Sequence, residues 1–406
     1  MIVESLVADI RLFRPVFIML LATSQSEPTA RRMIDMLEFS PENYQIVTLH
    51  NAHDLRGIFQ TAKDGIRHLI KRGFEPRRIS INYSSGTKVM STGLVLAALT
   101  QRCEMLRYNK HSENTVERKS SYTSPRVVFA YHHLLEALHF FEQLRFQSTK
   151  DSIDRIEQDL LDDADIIVLD ELRILTSAFA DWDNFRFTEA LEQLKGIEGQ
   201  GYLTARFFPK TSQLESLNAM ADSVGERRYN EMLFADVFNN ALRRYHSARY
   251  DDAIIRAYRA LEMQAQFILH DQFGIDTDRV DTRKVPPKYR PDFDALRSMD
   301  DGLVRIGLRK SYELLRLLEH PLGQTFCAHP GLKEMMETRG RSFLSHGVQP
   351  MSREQALDFI RFTGDVCRAM IPRFEELCAE LQFTWLEREN DVWNIPRKDE
   401  VTKNGA

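Results

Sequence analysis

The feature that most restricts what this chain can fold into is a change of period. Over its first 108 residues, short apolar runs alternate with longer stretches of helical periodicity; from residue 132 onward the periodicity is helical almost throughout. PVFIMLLATS at 15–24 reads as a strand and its loop, EPTARRMIDMLEF at 27–39 as a helix, and YQIVTLH at 44–50 as a second strand. A long amphipathic helix at 52–73 ends on Gly73, a C′ residue by position. ISINY at 79–83, VMSTGLVLAALTQ at 89–101 and CEMLRY at 103–108 complete the series as strand, helix and strand. Strand runs that are apolar throughout, rather than alternating, belong to parallel strands covered on both faces. The order βαβαβαβ therefore specifies a doubly wound, Rossmann-like α/β domain. In such sheets ligands bind at the carboxyl ends of the strands.

The polar segment 110–131 reads as a hairpin with a β-rich tail, closing a first domain over 1–131. A helical connector over 132–228, a helical bundle over 229–390 and a polar tail over 391–406 follow. Within the bundle, two helices meet near Tyr250 and Asp251, read as a turn and an N-cap. The charged, proline-rich stretch 276–294 reads as a loop or mobile excursion. The fold class is thus α/β plus all-α.

Composition excludes several functions. A net charge of -5 gives no global footprint for nucleic acid, so any such contact is local. Cys103, Cys327, Cys367 and Cys378 form no C-x-x-C pair, which argues against a zinc site and a disulfide framework and fits a reducing cytoplasm. The apolar run 16–22 is too short to span a bilayer. Glu4 and Asp9 precede it where a signal peptide would be basic. It reads as a buried strand of a cytoplasmic protein, with no membrane partner.

Two polar turns fall at the carboxyl edge of the expected sheet: Thr23-Ser24-Gln25 after the first strand and Ser84-Ser85-Gly86-Thr87-Lys88 after the third. Backbone N–H groups at a helix start, with Ser, Thr and Lys donors, suit anionic oxygens. The familiar phosphate motifs fail on spacing. Thr87 separates Gly86 from Lys88, Val89 follows the lysine, and Ile81 stands where a Walker A loop needs its first glycine. No G-x-G-x-x-G is present. The competing reading is a plain strand–helix turn with a solvated lysine.

The second constellation is Arg341-Ser342-Phe343-Leu344-Ser345-His346, followed by Gly347. Arg is a permanent phosphate clamp, and His moves protons near neutral pH. Together they suffice to cleave RNA without a metal: the 2′-OH attacks, His moves a proton and Arg stabilises the phosphorane. With Gly347 as C′, His346 would sit in a last helical turn, where the helix end favours imidazolium. On an unbroken helix, positions five apart lie roughly 140° apart. Either Gly340 breaks the helix so that Arg341 swings in, or Arg339 takes part; a twofold interface is a third way to gather these groups. A chance R-x4-H with a capping His is the competing reading.

Taken together, these motifs resemble the CARF–HEPN ribonucleases associated with type III CRISPR systems. Ser85-Gly86-Thr87-Lys88-Val89-Met90 is similar to the turn of a CARF domain, and Arg341 to His346 to the R-x4-6-H motif of a HEPN domain. RYDDAIIRAYRALEMQAQFIL also looks like the helix opening this family's C-terminal domain. The resemblance implies a CARF sensing domain at 1–131 and a HEPN domain at 229–390. It implies a homodimer that binds a cyclic oligoadenylate, tetra- or hexa-adenylate, and cleaves single-stranded RNA to a 2′,3′-cyclic phosphate without metal or cofactor. Arg341 and His346 would be catalytic. Thr23, Ser24, Gln25, Ser84, Ser85, Gly86, Thr87 and Lys88 would hold the activator. Ser342 stands where many relatives carry Asn, and the Thr23 loop lacks a glycine that many carry.

Two alternatives stay open: a sensor whose HEPN scaffold is non-catalytic, and a CARF pocket that slowly cuts its own activator. A metal-dependent nuclease or DNA-binding regulator ranks last, since no P-D…E-x-K arrangement or basic recognition helix is present. Other residues read as structural. His132 and His133 cap a helix or face solvent, Asp162, Asp163 and Asp165 form a polar helix face, and Cys327 with His329 lacks a second pair for zinc. Glu262 packs between helices, and Phe234 and Phe238 are core.

Overall fold

The computed structural model describes residues 2–109, 120–197, 201–226, 228–345 and 347–386. The chain divides into two compact units, one of residues 1–133 with 155–161, the other of 134–154 with 162–406.

The first unit runs α1 (Ile2–Phe13), β1 (Ile18–Thr23), α2 (Glu27–Leu37), β2 (Tyr44–Leu49), α3 (Leu55–Lys71), β3 (Ser80–Asn82), α4 (Lys88–Thr100), β4 (Met105–Asn109) and β5 (Ser120–Thr123). A further helix, α5 (Arg126–Glu142), leads into the second unit. β1 pairs parallel with β2, β3 parallel with β4, and β5 antiparallel with β4. The core under α3 and α4 is Ala62, Ile66, Ile79, Ile81, Ala97, Ala98, Cys103 and Leu106. All strands expected from the apolar runs are present.

The sheet itself departs from the expectation of one doubly wound sheet. Its ladders fall into two groups, β1-β2 and β3-β4-β5. A cavity of about 320 Å³ lies where β1 and β3 would meet, lined by Phe13, Met19, Leu21, Ile79, Ile81 and Met90 among others. β3 is only three residues long, and its ladder is with β4. Helix α1 is the other surprise. Its buried face carries Asp9, a charge that hides the helical stripe until its partner Arg107 is known. The expected hairpin tail is also revised. Residues 110–119 lie outside the described residues, β5 does fold back on β4, but VVFAY belongs to α5.

The second unit is helical: α6 (Phe146–Ile153), α7 (Asp163–Asp183), α8 (Phe187–Lys195), α9 (Tyr202–Phe207), α10 (Thr211–Glu226), α11 (Glu231–His246) and α12 (Tyr250–Phe273). Then come α13 (Arg290–Asp294), α14 (Leu308–Leu317), α15 (Pro321–Ala328), α16 (Leu332–Arg341), α17 (Arg353–Met370) and α18 (Phe374–Leu381). α11 is buried on every side from Leu233 to Tyr245, so its polar residues need internal partners. Asp183 of α7 supplies most of them, accepting from Asn240 at 2.8 Å, from Arg243 at 2.8 Å and from Arg244. Trp182 donates its indole N–H to Asp236 at 3.1 Å.

Several local expectations change. Arg249, not Asp251, is the N-cap of α12, and Asp251 lies in its first turn. His132 and His133 lie inside α5 rather than at a helix start, and His133 is buried. Asp162 is a helix cap, accepting from the Asp165 N–H at 3.0 Å. The stretch 276–294 is pinned to the unit by buried Thr277, Val280, Val285 and Phe293. Phe234 and Phe238 are core, as their spacing implied, and Glu262 pairs with Arg259 at 2.7 Å.

Candidate functional site

In the first unit, both polar turns stand at the carboxyl ends of parallel strands. Thr23 ends β1, and its loop is closed by a local net in which Ser26 Oγ accepts from the Thr23 N–H at 2.9 Å. Ser24 and Gln25 are exposed. Glu27 opens α2 beside this loop, held below the usual carboxylate range by hydrogen bonds from Arg31 and Thr48. Its charge is thus matched by Arg31 at 2.6 Å.

The Ser84–Lys88 turn is built more firmly. Asn82, the last residue of β3, accepts from both the N–H and the hydroxyl of Ser84. Gly86 has φ +93°, a left-handed conformation that suits glycine. Thr87 caps α4, accepting from the Met90 N–H at 3.2 Å and donating to the Ala52 carbonyl at 3.0 Å. Ser91 donates to the Tyr83 carbonyl at 2.8 Å. Lys88 is the first residue of α4 and is exposed, as are Ser85 and Gly86. The structure therefore brings a cation, a helix start and free-facing small residues to one turn.

Sequence reading missed the support beneath this turn. Asn82 donates to Asp9 at 3.3 Å, Asp9 pairs with Arg107, and the Arg107 guanidinium lies 4.5 Å from the Phe13 ring centroid. Arg107 did leave a signal: a charge inside the apolar strand CEMLRY demands a buried partner.

In the second unit, α16 runs unbroken through Gly340 and ends at Arg341, with Ser342 as an extended C-cap. Residues 343–345 form a turn rather than a continuation of the helix. His346 itself lies outside the described residues. The loop folds back on the helix end. Gln349 donates to the Arg341 carbonyl at 3.1 Å, Phe343 to the Gln349 carbonyl at 3.0 Å, and Gly347 to the Ser342 carbonyl at 3.1 Å. Gly347 has no positive φ. It is needed for close approach instead: a Cβ there would stand 2.0 Å from the Arg341 carbonyl oxygen.

The family model described as the Csm6 HEPN domain matches residues 221–370. That span lies within the helical unit, which over these residues is similar to the Csm6 HEPN domain. No curated protein matches the chain. Among solved structures, Enterococcus italicus Csm6 bound to cyclic hexa-2′-fluoro-hexa-dAMP aligns over 97% of this chain and 95% of that one, at 15% identity and a TM-score of 0.39.

The matched span contains α11, α12, α16, the loop after it and α17. Arg341 is exposed at the end of α16, with its guanidinium 3.5 Å from the Thr338 hydroxyl. Arg339 is two residues back, so it faces another way. Its guanidinium lies 4.5 Å from the centroid of the Tyr258 ring on α12. Ser342 is fully buried and donates to Asp251 at 2.6 Å. Asp251 is the residue that sequence reading misassigned. Its other oxygen accepts from the Met351 N–H at 3.0 Å. Phe343, Leu344 and Val348 are exposed on the same loop. His329 Nδ1 accepts from the Gly331 N–H at 3.1 Å, and its ring packs edge-on against Phe362. Among the described residues no group of His, Cys, Asp and Glu is arranged to hold a metal. No helix among them is long and apolar enough to cross a membrane.

Proposed function

We propose that the protein is an endoribonuclease of type III CRISPR defence that cleaves single-stranded RNA when a cyclic oligoadenylate binds its N-terminal unit. The observation that carries this reading is the Csm6 HEPN match, because its span includes the whole Arg341–His346 segment. The geometry supports it further: Arg341 is solvent-facing at a helix end, while Gly347 presses the returning chain against its backbone.

In this reading the RNA 2′-hydroxyl oxygen attacks the adjacent phosphorus, and the bond to the 5′-oxygen breaks to leave a 2′,3′-cyclic phosphate. Arg341 binds the non-bridging oxygens and stabilises the charge of the phosphorane. The 2′-hydroxyl proton passes to solvent water as the new bond forms, and His346 gives a proton to the departing 5′-oxygen. The reaction needs no metal. Arg339, engaged with Tyr258, acts in packing rather than chemistry. In the first unit, Lys88 meets an activator phosphate. The exposed Ser85 and Gly86, together with Ser24 and Gln25, offer donors to its phosphates and ribose, while Thr23, Ser84 and Thr87 shape the two turns. Two copies of the chain would present two such turns to a ring with twofold symmetry.

The test is to incubate the purified full chain with labelled RNA, with cyclic tetra- or hexa-adenylate, in EDTA. Cleavage is expected with one ring size and not without it. Arg341→Ala and His346→Ala should each lower the rate by at least about 10²-fold while activator binding persists. Tight activator binding with no cleavage by the wild type would favour a non-catalytic sensor. Wild-type rates from His346→Ala would overturn the site assignment.

A further inference from the structure

We infer that Asp251 is the positioning residue of the Arg341–His346 loop, a single carboxylate that fixes both ends of the segment bearing the two proposed catalytic groups. The inference rests on the functional reading above. One oxygen of Asp251 takes the Ser342 hydroxyl at 2.6 Å, immediately after Arg341. The other takes the Met351 N–H at 3.0 Å, just before α17 begins. The loop's own backbone bonds give it a shape but do not place it on the bundle. Asp251 does so, because a carboxylate accepting two hydrogen bonds in fixed directions leaves little freedom to either donor.

The anchor is itself rigid. Its neighbour Asp252 pairs with Arg249 and Arg256, the latter at 3.1 Å. Arg256 also donates to the side-chain oxygen of Asn240 on α11, and Asn240 donates to Asp183 of α7 at 2.8 Å. The two acids in the first turn of α12 thus divide the work. Asp252 ties the turn into a polar network reaching α7, and Asp251 reaches out to the loop. Ser342 is fully buried, so its hydroxyl serves this contact and not the substrate. A positioning role needs no contact with RNA: a displacement of about 1 Å at a reacting group costs about 10²-fold in rate.

The test compares wild type, Asp251→Asn, Ser342→Ala and the double variant as full chains, by RNA cleavage and by amide hydrogen exchange over 342–351. Asn can still accept from the Met351 N–H, but it meets the Ser342 hydroxyl as a donor instead of an acceptor and loses the charge that strengthens both bonds. The expected result is a kcat lowered by about 10²-fold in Asp251→Asn with KM changed less than about threefold. Faster exchange of the Met351 amide should accompany it. The Ser342→Ala loss should be of the same kind, and the double variant no worse than the poorer single one, as for groups acting through one bond. A wild-type kcat in Asp251→Asn, or fully additive losses, would overturn the proposal. Should Asp251→Asn fail to fold, Ser342→Ala carries the same test. If the wild type cleaves no RNA with either ring, the functional reading fails. The exchange data then decide the structural claim alone: unchanged protection of the Met351 amide in Asp251→Asn would sink it.

Discussion

At the scale of single residues, two glycines seven positions apart have opposite reasons to be there. A Cβ at Gly340 meets nothing within 4 Å, and the residue sits inside an intact helix. Gly340→Ala should therefore stabilise the protein by about 0.5–1 kcal/mol and leave the proposed RNA cleavage intact. Gly347→Ala puts a methyl against the Arg341 carbonyl. That should cost about 1–3 kcal/mol and displace the loop with loss of cleavage. Urea unfolding and the RNA assay read both. Loss of activity in Gly340→Ala would show that α16 must bend there after all. The R-x4-H spacing was legible in the sequence. The meaning of Ser342 was not, because its partner lies 91 residues earlier in the chain.

At the scale of an element, α11 shows how a helix buried all round manages its charges. Burial pushes the Asp236 carboxyl up to about 6, against attraction from Arg243 and a hydrogen bond from Trp182. Its unfolded value is near 3.9. Between these values the folded chain holds a proton that the unfolded chain has released. Stability from this group is therefore present at low pH and is lost as pH rises through about 6. Asp236→Asn keeps an acceptor for the indole and removes the titration. The stability of the variant relative to wild type should rise between pH 4 and 7 in urea unfolding; parallel curves would refute this. Elements whose periodicity was plain, α3 with its Gly73 terminator at φ +96° among them, were legible. Helix α1 was not, since a charge sits on its buried face and only the fold supplies the compensating arginine.

At the scale of the molecule, the helical unit has an aromatic cluster assembled from distant segments. Phe141 and Phe179 meet Trp385 at 4.9 and 4.8 Å, Phe207 meets it at 5.4 Å, and Phe383 stacks edge-on against Trp182 at 5.2 Å. The Trp385 indole donates to the Glu142 carbonyl at 3.1 Å, and Gln213 donates to the Gln382 carbonyl at 2.7 Å. The residues after α18 therefore lock the helices before α11 onto the bundle. Trp385→Ala should cost about 3–5 kcal/mol, measured as a fall in the unfolding midpoint of this unit. A fragment of residues 229–390 loses Phe141, Phe179, Trp182 and Phe207, and should aggregate. A soluble, cooperatively folding fragment would contradict this account.

The sequence by itself determined the alternation of strands and helices from β1 to β4, the strand-to-helix turn at Ser84–Lys88 and the candidate pair Arg341 and His346, because each is written within one period or one short spacing. Tertiary structure alone decided that the sheet divides between β1 and β3, that Arg107 finds Asp9, and that Asp251 holds the loop beyond Arg341. Local periodicity records which face of an element is buried. It does not record which buried polar group meets which, since that depends on contacts between segments tens to hundreds of residues apart.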